Sequence, residues 1–289
     1  MNLREYQSAV ATGKAISYVS VEAFRESPML FHGAICEQEG VKPLPTSSAT
    51  WDMYRFILTH TEEAFEAEYI VSDGPINSEG AKATGRPFGR ETKTYQNWVR
   101  EICEARNITP DKIVGTEEAK KMHLMYQHLR MQLNSPSLDD YEVVKAIDNA
   151  IGNPETIGEV PVFVEYKKKG LDVPCIAHYD FKVRVEGEDF DTFVKIRPTS
   201  RFEWLFKDIE NDRFVPAQWG QYVLGEALGK ARIVYLLQSG EYPYKLTVAV
   251  WGADKSGHRS MYAVVEKIGE CFKKQEFPIQ AVVPVLSRV

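Results

Sequence analysis

The strongest constraint on the fold is a change of side-chain period near residue 157. Upstream, apolar residues recur at helical spacing. In the run T-E-E-A-K-K-M-H-L-M-Y-Q-H-L headed by Thr116, the residues Met122, Met125, Tyr126 and Leu129 fall on one face. Downstream, IGEVPVFVEY (157–166), VPCIAHYDFKVRV (173–185) and FDTFVKIR (190–197) alternate. A period of two belongs to strands and a period of 3.6 to helices, so the two stretches cannot share an element type. Lys167-Lys168-Lys169-Gly170 separates the first two runs and Glu186-Gly187-Glu188-Asp189 the second and third. Both are turn compositions, and the three strands read as an antiparallel meander. Helical stretches follow at 201–211 and 215–229, then strands at 231–237 (ARIVYLL) and 244–251 (YKLTVAVW), a closing helix at 256–274 and an extended tail at 277–289. This order predicts an α/β fold with a central mixed sheet flanked by helices.

The N-terminal half reads as mainly helical. Residues 14–35 predict a strand or turn and then a helix capped by Ser20, broken at Ser27-Pro28 and restarted with Pro28 in its first turn. Residues 36–49 carry Gly40, Pro43, Pro45 and a Thr-Ser-Ser run, a loop composition. Residues 50–69 return to helical spacing through Trp51, Tyr54, Ile57, Leu58, Phe65 and Tyr69. Residues 72–90 predict a long, exposed, mobile loop carrying Lys82, Arg86 and Arg90. Residues 91–106 and 139–150 are helical, and Asn134-Ser135-Pro136 ends the helix begun at Thr116. There is no internal repeat and no low-complexity tract. The expected organisation is one domain over 1–289, with 1–150 mainly helical and 151–289 holding the sheet.

With 289 residues, 44% of them hydrophobic, the chain can bury a core without disulfides or metals. No run approaches the roughly 18 apolar residues of a membrane helix, and MNLREYQSAV lacks the apolar centre of a secretory signal. The expectation is a cytoplasmic protein away from membranes. Cys36, Cys103, Cys175 and Cys271 form no CxxC pair, so free thiols are expected. A net charge of −6 argues against a protein that coats nucleic acid non-specifically, while leaving room for a local basic channel. P-loop, GxGxxG and GxSxG signatures are absent. His123 and His128 are five apart on one helix, the wrong spacing for paired ligands.

The chemistry concentrates between 157 and 229. One nuclease class holds Mg²⁺ with a Glu, an Asp and a further acid next to a Lys, brought together by a hairpin. Hard cations take carboxylate oxygens, and the metal activates the attacking water. Glu159 and Asp180 stand on successive predicted strands, where such a site needs them.

Four segments in order resemble the RecE-type exonucleases (exonuclease VIII) of the PD-(D/E)XK superfamily, over roughly residues 15–285. AISYVSVEAFRESPMLF resembles the family's ISxSxLxxxxxSPxxF opening. KIVGTEEAKKMHLMYQHL is similar to the helix after its VIT, and GEVPVFVEYKKKGLDVPCIAHYDFKV to its E-S-x-Y-W-x-x-x-x-T-G-x-x-C-x-x-R-x-D hairpin. PAQWGQYVLGEALG resembles its Q-x-x-F-Y helix. By that resemblance Glu159 and Asp180 match the metal-binding acids, and Gln218 and Tyr222 match the glutamine–tyrosine helix.

The departures are as informative. The family's next strand ends in Asp-x-Lys-Thr-Thr, whereas this chain reads Phe193-Val194-Lys195-Ile196-Arg197-Pro198-Thr199. Aligned on Lys195, the acid becomes Phe193; aligned on Thr199, it becomes Lys195, and the lysine becomes Arg197. Either way the central carboxylate is missing, and an Asp180–Lys195 or Asp180–Arg197 ion pair would fill the metal's place. The family's histidine in the helix after its first loop falls near Met53 or Tyr54. Asp191 or Glu165 would be the ligands of a rebuilt site. Lys167, Lys168 and Lys169 at the hairpin tip, with Lys82, Arg86 and Arg90, are either solvated or phosphate contacts.

The resemblance implies three readings. The first is a catalytically impaired relative that binds DNA ends or a protein of recombination or host defence. The second is an active Mg²⁺-dependent 5′–3′ double-strand exonuclease with a rearranged site. The third is a structural or assembly protein on the same scaffold. Mg²⁺ is the implied cofactor of the second and no cofactor that of the first. Ring-shaped relatives imply a homo-oligomer.

Overall fold

A computed structural model describes residues 1–37, 49–78, 84–135, 141–158, 160–211, 213–254 and 259–278. Helix α1 (Leu3–Ala11) opens the chain, with the Asn2 side chain accepting from Glu5 N–H in a capping box. Helices α2 (Tyr18–Glu26) and α3 (Pro28–Ile35) follow. The break falls at Ser27-Pro28 as the spacing predicts: Pro28 takes the first helical position, and Ser27 Oγ accepts from Leu30 N–H at 3.3 Å. The cap of α2 is Ser17 and not Ser20. Ser20 lies inside the first turn, where its hydroxyl accepts from Ser17 N–H at 3.2 Å. Most of the loop predicted at 36–49 lies outside the described residues.

Helices α4 (Ala49–Thr59) and α5 (Glu62–Glu68) divide the 50–69 segment, because Thr61 caps a new helix start. Short strand β1 (Ile70–Val71) pairs in parallel with β2 (Ile113–Val114), and α6 (Lys93–Arg106) lies between them in sequence. The stretch 72–90 differs from a structureless loop where it is described. Asn77 N–H donates to Arg86 O, Thr84 N–H and Gly85 N–H to Asn77 O, and Phe88 N–H to Pro75 O, all at 2.8–2.9 Å. Helix α7 (Thr116–Leu133) buries Met122, Met125 and Leu129, and its first N–H is capped by Asp73 at 2.9 Å. Helices α8 (Tyr141–Ala150) and α9 (Pro154–Ile157) lead to the sheet. The helical turn of α9 corrects the predicted strand start at 157. Pro154 suits a first helical position, and the strand begins only at Val162.

Strand β3 (Val162–Tyr166) pairs antiparallel with β4 (Cys175–Tyr179). One residue later, β5 (Phe181–Arg184) pairs antiparallel with β6 (Asp191–Thr199). The predicted meander is therefore present, but its middle strand is interrupted at Asp180. Helices α10 (Phe202–Glu210) and α11 (Val215–Leu228) precede β7 (Lys230–Ser239), which runs parallel to β6. Strand β8 (Leu246–Asp254) is antiparallel to β7, and α12 (Arg259–Lys274) packs last. The principal sheet has the order β5-β6-β7-β8.

Alternation along β6 and β7 builds two cores. Phe193, Ile233, Tyr235 and Leu237 point to a cluster formed with α1, α2, α3, α11 and α12. Val194, Ile196, Val234 and Leu236 point to a cluster formed with α4, α5, α7 and α8. A strand buried on both faces reads as a near-continuous apolar run, as ARIVYLL does. The fold is thus mixed α/β, with helices on both faces of its central sheet.

Candidate functional site

The break at Asp180 is where the sheet turns polar. Asp180 N–H donates to Val194 O at 2.9 Å, and Phe181 stands opposite Val194. Continuing that register would set Tyr179 opposite Ile196. Instead the Asp180 carboxylate takes the place: its Oδ2 accepts from Ile196 N–H at 2.7 Å. Its Oδ1 receives Lys195 Nζ at 3.2 Å and faces Arg55 Nε at 3.3 Å. Arg55, on the polar side of α4, also binds Asp52 one turn back at 2.9 Å. Lys195 Nζ makes a second bond, to His178 Nδ1 at 3.0 Å.

The cluster is buried: 3% of the Asp180 side chain, 12% of Lys195 and 19% of Arg55 reach solvent. Burial alone would raise the Asp180 pKa, but the charges of Lys195 and Arg55, with His178 and the Ile196 N–H, hold it below its ordinary value. Lys195 is pushed down to about 8, first by burial, with Asp180 opposing. Burial and then the Lys195 charge push His178 well below its usual value. It is therefore a neutral imidazole that accepts at Nδ1, and its Nε2 finds no hydrogen-bond partner among the described residues.

Arg55, His178 and Lys195 of this cluster line a cavity of about 450 Å³, together with Tyr6, Tyr18, Glu22, Trp51, Asp52 and Arg197, among others. Burial raises the Glu22 carboxyl, and Arg197 opposes. The Arg197 guanidinium lies 5.8 Å from the Tyr18 ring centre and 5.3 Å from that of Phe214.

The structure brings Asp180 and Lys195 into contact and sets Arg197 in the same cavity. Glu159 and Lys82 lie outside the described residues. Gln218 is half-buried on α11. Tyr222 is fully buried in the core, edge-on to Tyr262 at 5.0 Å and to Tyr166 at 5.8 Å. Neither Gln218 nor Tyr222 lines the cavity. Asp191 is tied to Lys182 and Arg184 at 2.9 and 2.6 Å on the outer end of β6. Glu165 pairs with Lys167 at 3.3 Å. Lys168 bridges to Glu266 of α12 at 3.1 Å and lies over the Tyr262 ring. Lys169, Arg86 and Arg90 are exposed. Met53 and Tyr54 are buried, and the Tyr54 hydroxyl bonds Gln238. It is the next residue, Arg55, that reaches Asp180. Arg55, Asp52 and His178 were missed in the sequence, although the Asp-x-x-Arg spacing in α4 and the His-Tyr-Asp order in the strand are both visible there.

A divalent cation does not fit this arrangement. Both Asp180 oxygens already hold donors, and two of those donors are cations. Asp52 balances the charge of Arg55, and an ion at Asp180 would have to displace Lys195 or Arg55 from Oδ1, or the Ile196 N–H from Oδ2, to gain a ligand there. Among the described residues, no group of three or more His, Cys, Asp or Glu converges as a metal site would need.

No family model matches the chain, and no curated protein matches it. Two solved structures are similar in outline. A candidate exonuclease from Eubacterium rectale aligns over 95% of this chain and 84% of its own, at 8% identity and a TM-score of 0.43. The protein SSO0001 aligns over 95% of this chain and 82% of its own, at 11% identity and a TM-score of 0.33. No described helix is long and apolar enough to cross a membrane.

Proposed function

We propose that this is a nuclease-fold protein that binds DNA without cleaving it, its metal position taken by side-chain cations. The observation that carries the reading is the Asp180 carboxylate, held by Lys195, Arg55 and the Ile196 N–H at 2.7–3.3 Å. The RecE-like order of segments supplies the nuclease fold and the DNA class, in recombination or its control. The cavity supplies Arg55, Lys195 and Arg197 for a phosphate backbone, balanced by Asp52 and Glu22 in its lining and by the buried Asp180 that Lys195 and Arg55 hold from beneath. That balance suits reversible, modest-affinity binding over tight electrostatic capture.

End-labelled linear duplex incubated with the purified protein and Mg²⁺ or Mn²⁺, followed by a gel-shift at low salt, tests this reading. The expected result is intact DNA and a salt-sensitive complex. Cleavage that disappears in Asp180→Ala would establish instead the active exonuclease with a rebuilt site. Absence of both cleavage and binding would move the reading to a protein partner or an assembly role.

A further inference from the structure

Strand parity sends Lys195 and Arg197 out on the same side of β6 as Phe193, the side covered by α1 and α2. Both line the cavity there. Their partners differ. Lys195 holds Asp180, and Arg55 holds Asp180 and Asp52. Arg197 enters no hydrogen bond or salt bridge among the described residues. Rings set its guanidinium instead, the centre of Tyr18 lying 5.8 Å away and that of Phe214 5.3 Å. Contacts of this kind hold the cation and leave its N–H groups unused. A planar fork of donors matches an oxyanion bidentately.

His178 is the second unanswered donor. It lines the same cavity, and its Nδ1 accepts from Lys195 Nζ at 3.0 Å. The proton of the neutral ring is then on Nε2, a buried atom with no hydrogen-bond partner among the described residues. Arg197 and His178 both want an acceptor, which a cationic or purely apolar ligand would not bring.

Shape and charge narrow the class. About 450 Å³ lies within the range of small-molecule sites, about 300–1,000 Å³. Leu3 and Val10 of α1, with Val19 and Pro216, give the cavity apolar walls. Asp52 is spent on Arg55 and Asp180 on Lys195, so Arg197 is the cation left over. Glu22, the other acid of the lining, acts on it without a salt bridge, and burial raises that carboxyl. A single negative charge suits one such guanidinium. A dianionic phosphate brings a second charge with no cation left for it.

We propose that this cavity binds a small organic monocarboxylate, the carboxylate on the Arg197 guanidinium and the apolar body against Leu3, Val10, Val19 and Pro216. The ligand would share Arg197 with a phosphate backbone. Its binding is read without DNA, so failure here is separate from failure of the DNA-binding reading.

Calorimetric titration of the whole chain with phenylacetate, indole-3-acetate and hexanoate, each beside its neutral amide, tests the pocket. The expected result is that at least one acid binds at one site per chain, and its amide about tenfold or more weakly. Arg197→Gln weakens that acid by about 10- to 150-fold, and Arg197→Lys by less, because the ammonium keeps the charge and loses the fork. Ala11→Phe, at a half-buried position in the α1 wall, fills the cavity without touching a charge and abolishes binding. Circular dichroism checks that the variants keep the fold. Absence of binding by all three acids at millimolar concentration overturns the proposal. Equal affinity for acid and amide, or for wild type and Arg197→Gln, overturns it as well. Inorganic phosphate or thymidine monophosphate binding more tightly than every acid overturns the assignment to carboxylates.

Discussion

Replacing Asp180 by leucine removes the one anion that Lys195, Arg55 and the Ile196 N–H share. Lys195 is 88% withdrawn from solvent, with the neutral His178 as its other partner, while Arg55 keeps Asp52. Stranding one member of a buried ion pair costs about 3–5 kcal/mol, and an orphaned buried amide about 1–3 kcal/mol more. The expected loss is roughly 4–8 kcal/mol, a large part of a typical folding free energy of about 5–15 kcal/mol. For 289 residues the unfolding entropy is on the order of 0.6 kcal/mol/K, so the midpoint falls by about 6–13 °C. Lys195→Met is the control. It leaves Asp180 with Arg55 and the amide, and removes an ammonium whose burial is unfavourable enough to push its pKa to about 8. Its cost is about 2 kcal/mol or less. In the double variant Asp180→Leu/Lys195→Met, the stranded ammonium is gone and about 3 kcal/mol of the Asp180→Leu loss returns. Urea unfolding followed by circular dichroism reads all three. A metal site reverses the sign: removing one of several mutually repelling carboxylates stabilises the metal-free protein. Stabilisation by Asp180→Leu, or equal losses in the two single variants, would refute the argument.

Two further outcomes follow from groups outside the cluster. Burial raises the Asp191 carboxyl, but hydrogen bonds from Lys182 and then Arg184 outweigh it and hold the pKa below 3.8. A carboxyl depressed on folding contributes stability above its unfolded pKa and loses it as pH falls through the folded one. Acid unfolding below pH 3.8 is therefore shallower in Asp191→Asn than in the wild type. Among the thiols, Cys36 is exposed, whereas burial pushes Cys175 up to about 12. A disulfide reagent at pH 8 modifies Cys36 in the native protein and reaches Cys175 only on unfolding, as mass mapping would read.

What the sequence made legible follows from range. Helix α7 was plain because eighteen residues keep one apolar face, and the Ser27-Pro28 break because proline acts locally. The strand start was misplaced because Ile157, Val160, Val162 and Val164 alternate in hydrophobicity across a helical turn. There Gly158 at φ 68° and the short helix from Pro154 override the pattern. Pairing Asp180 with Lys195 needed only strand order and parity. Arg55 could not be read that way. Its contact spans 125 positions, and α4 was recognised by its buried face, the one opposite Arg55. Helix α11 buries residues around most of its circumference, so nothing in its sequence told which face Tyr222 would take.

Calorimetric titration of the protein with Mn²⁺ or Mg²⁺, beside Asp180→Ala, tests most directly whether cations of the chain have replaced the ion. The account predicts no heat of binding at Asp180 and no metal-dependent rise in melting temperature. A single stoichiometric site in the wild type, lost in the variant, would contradict it.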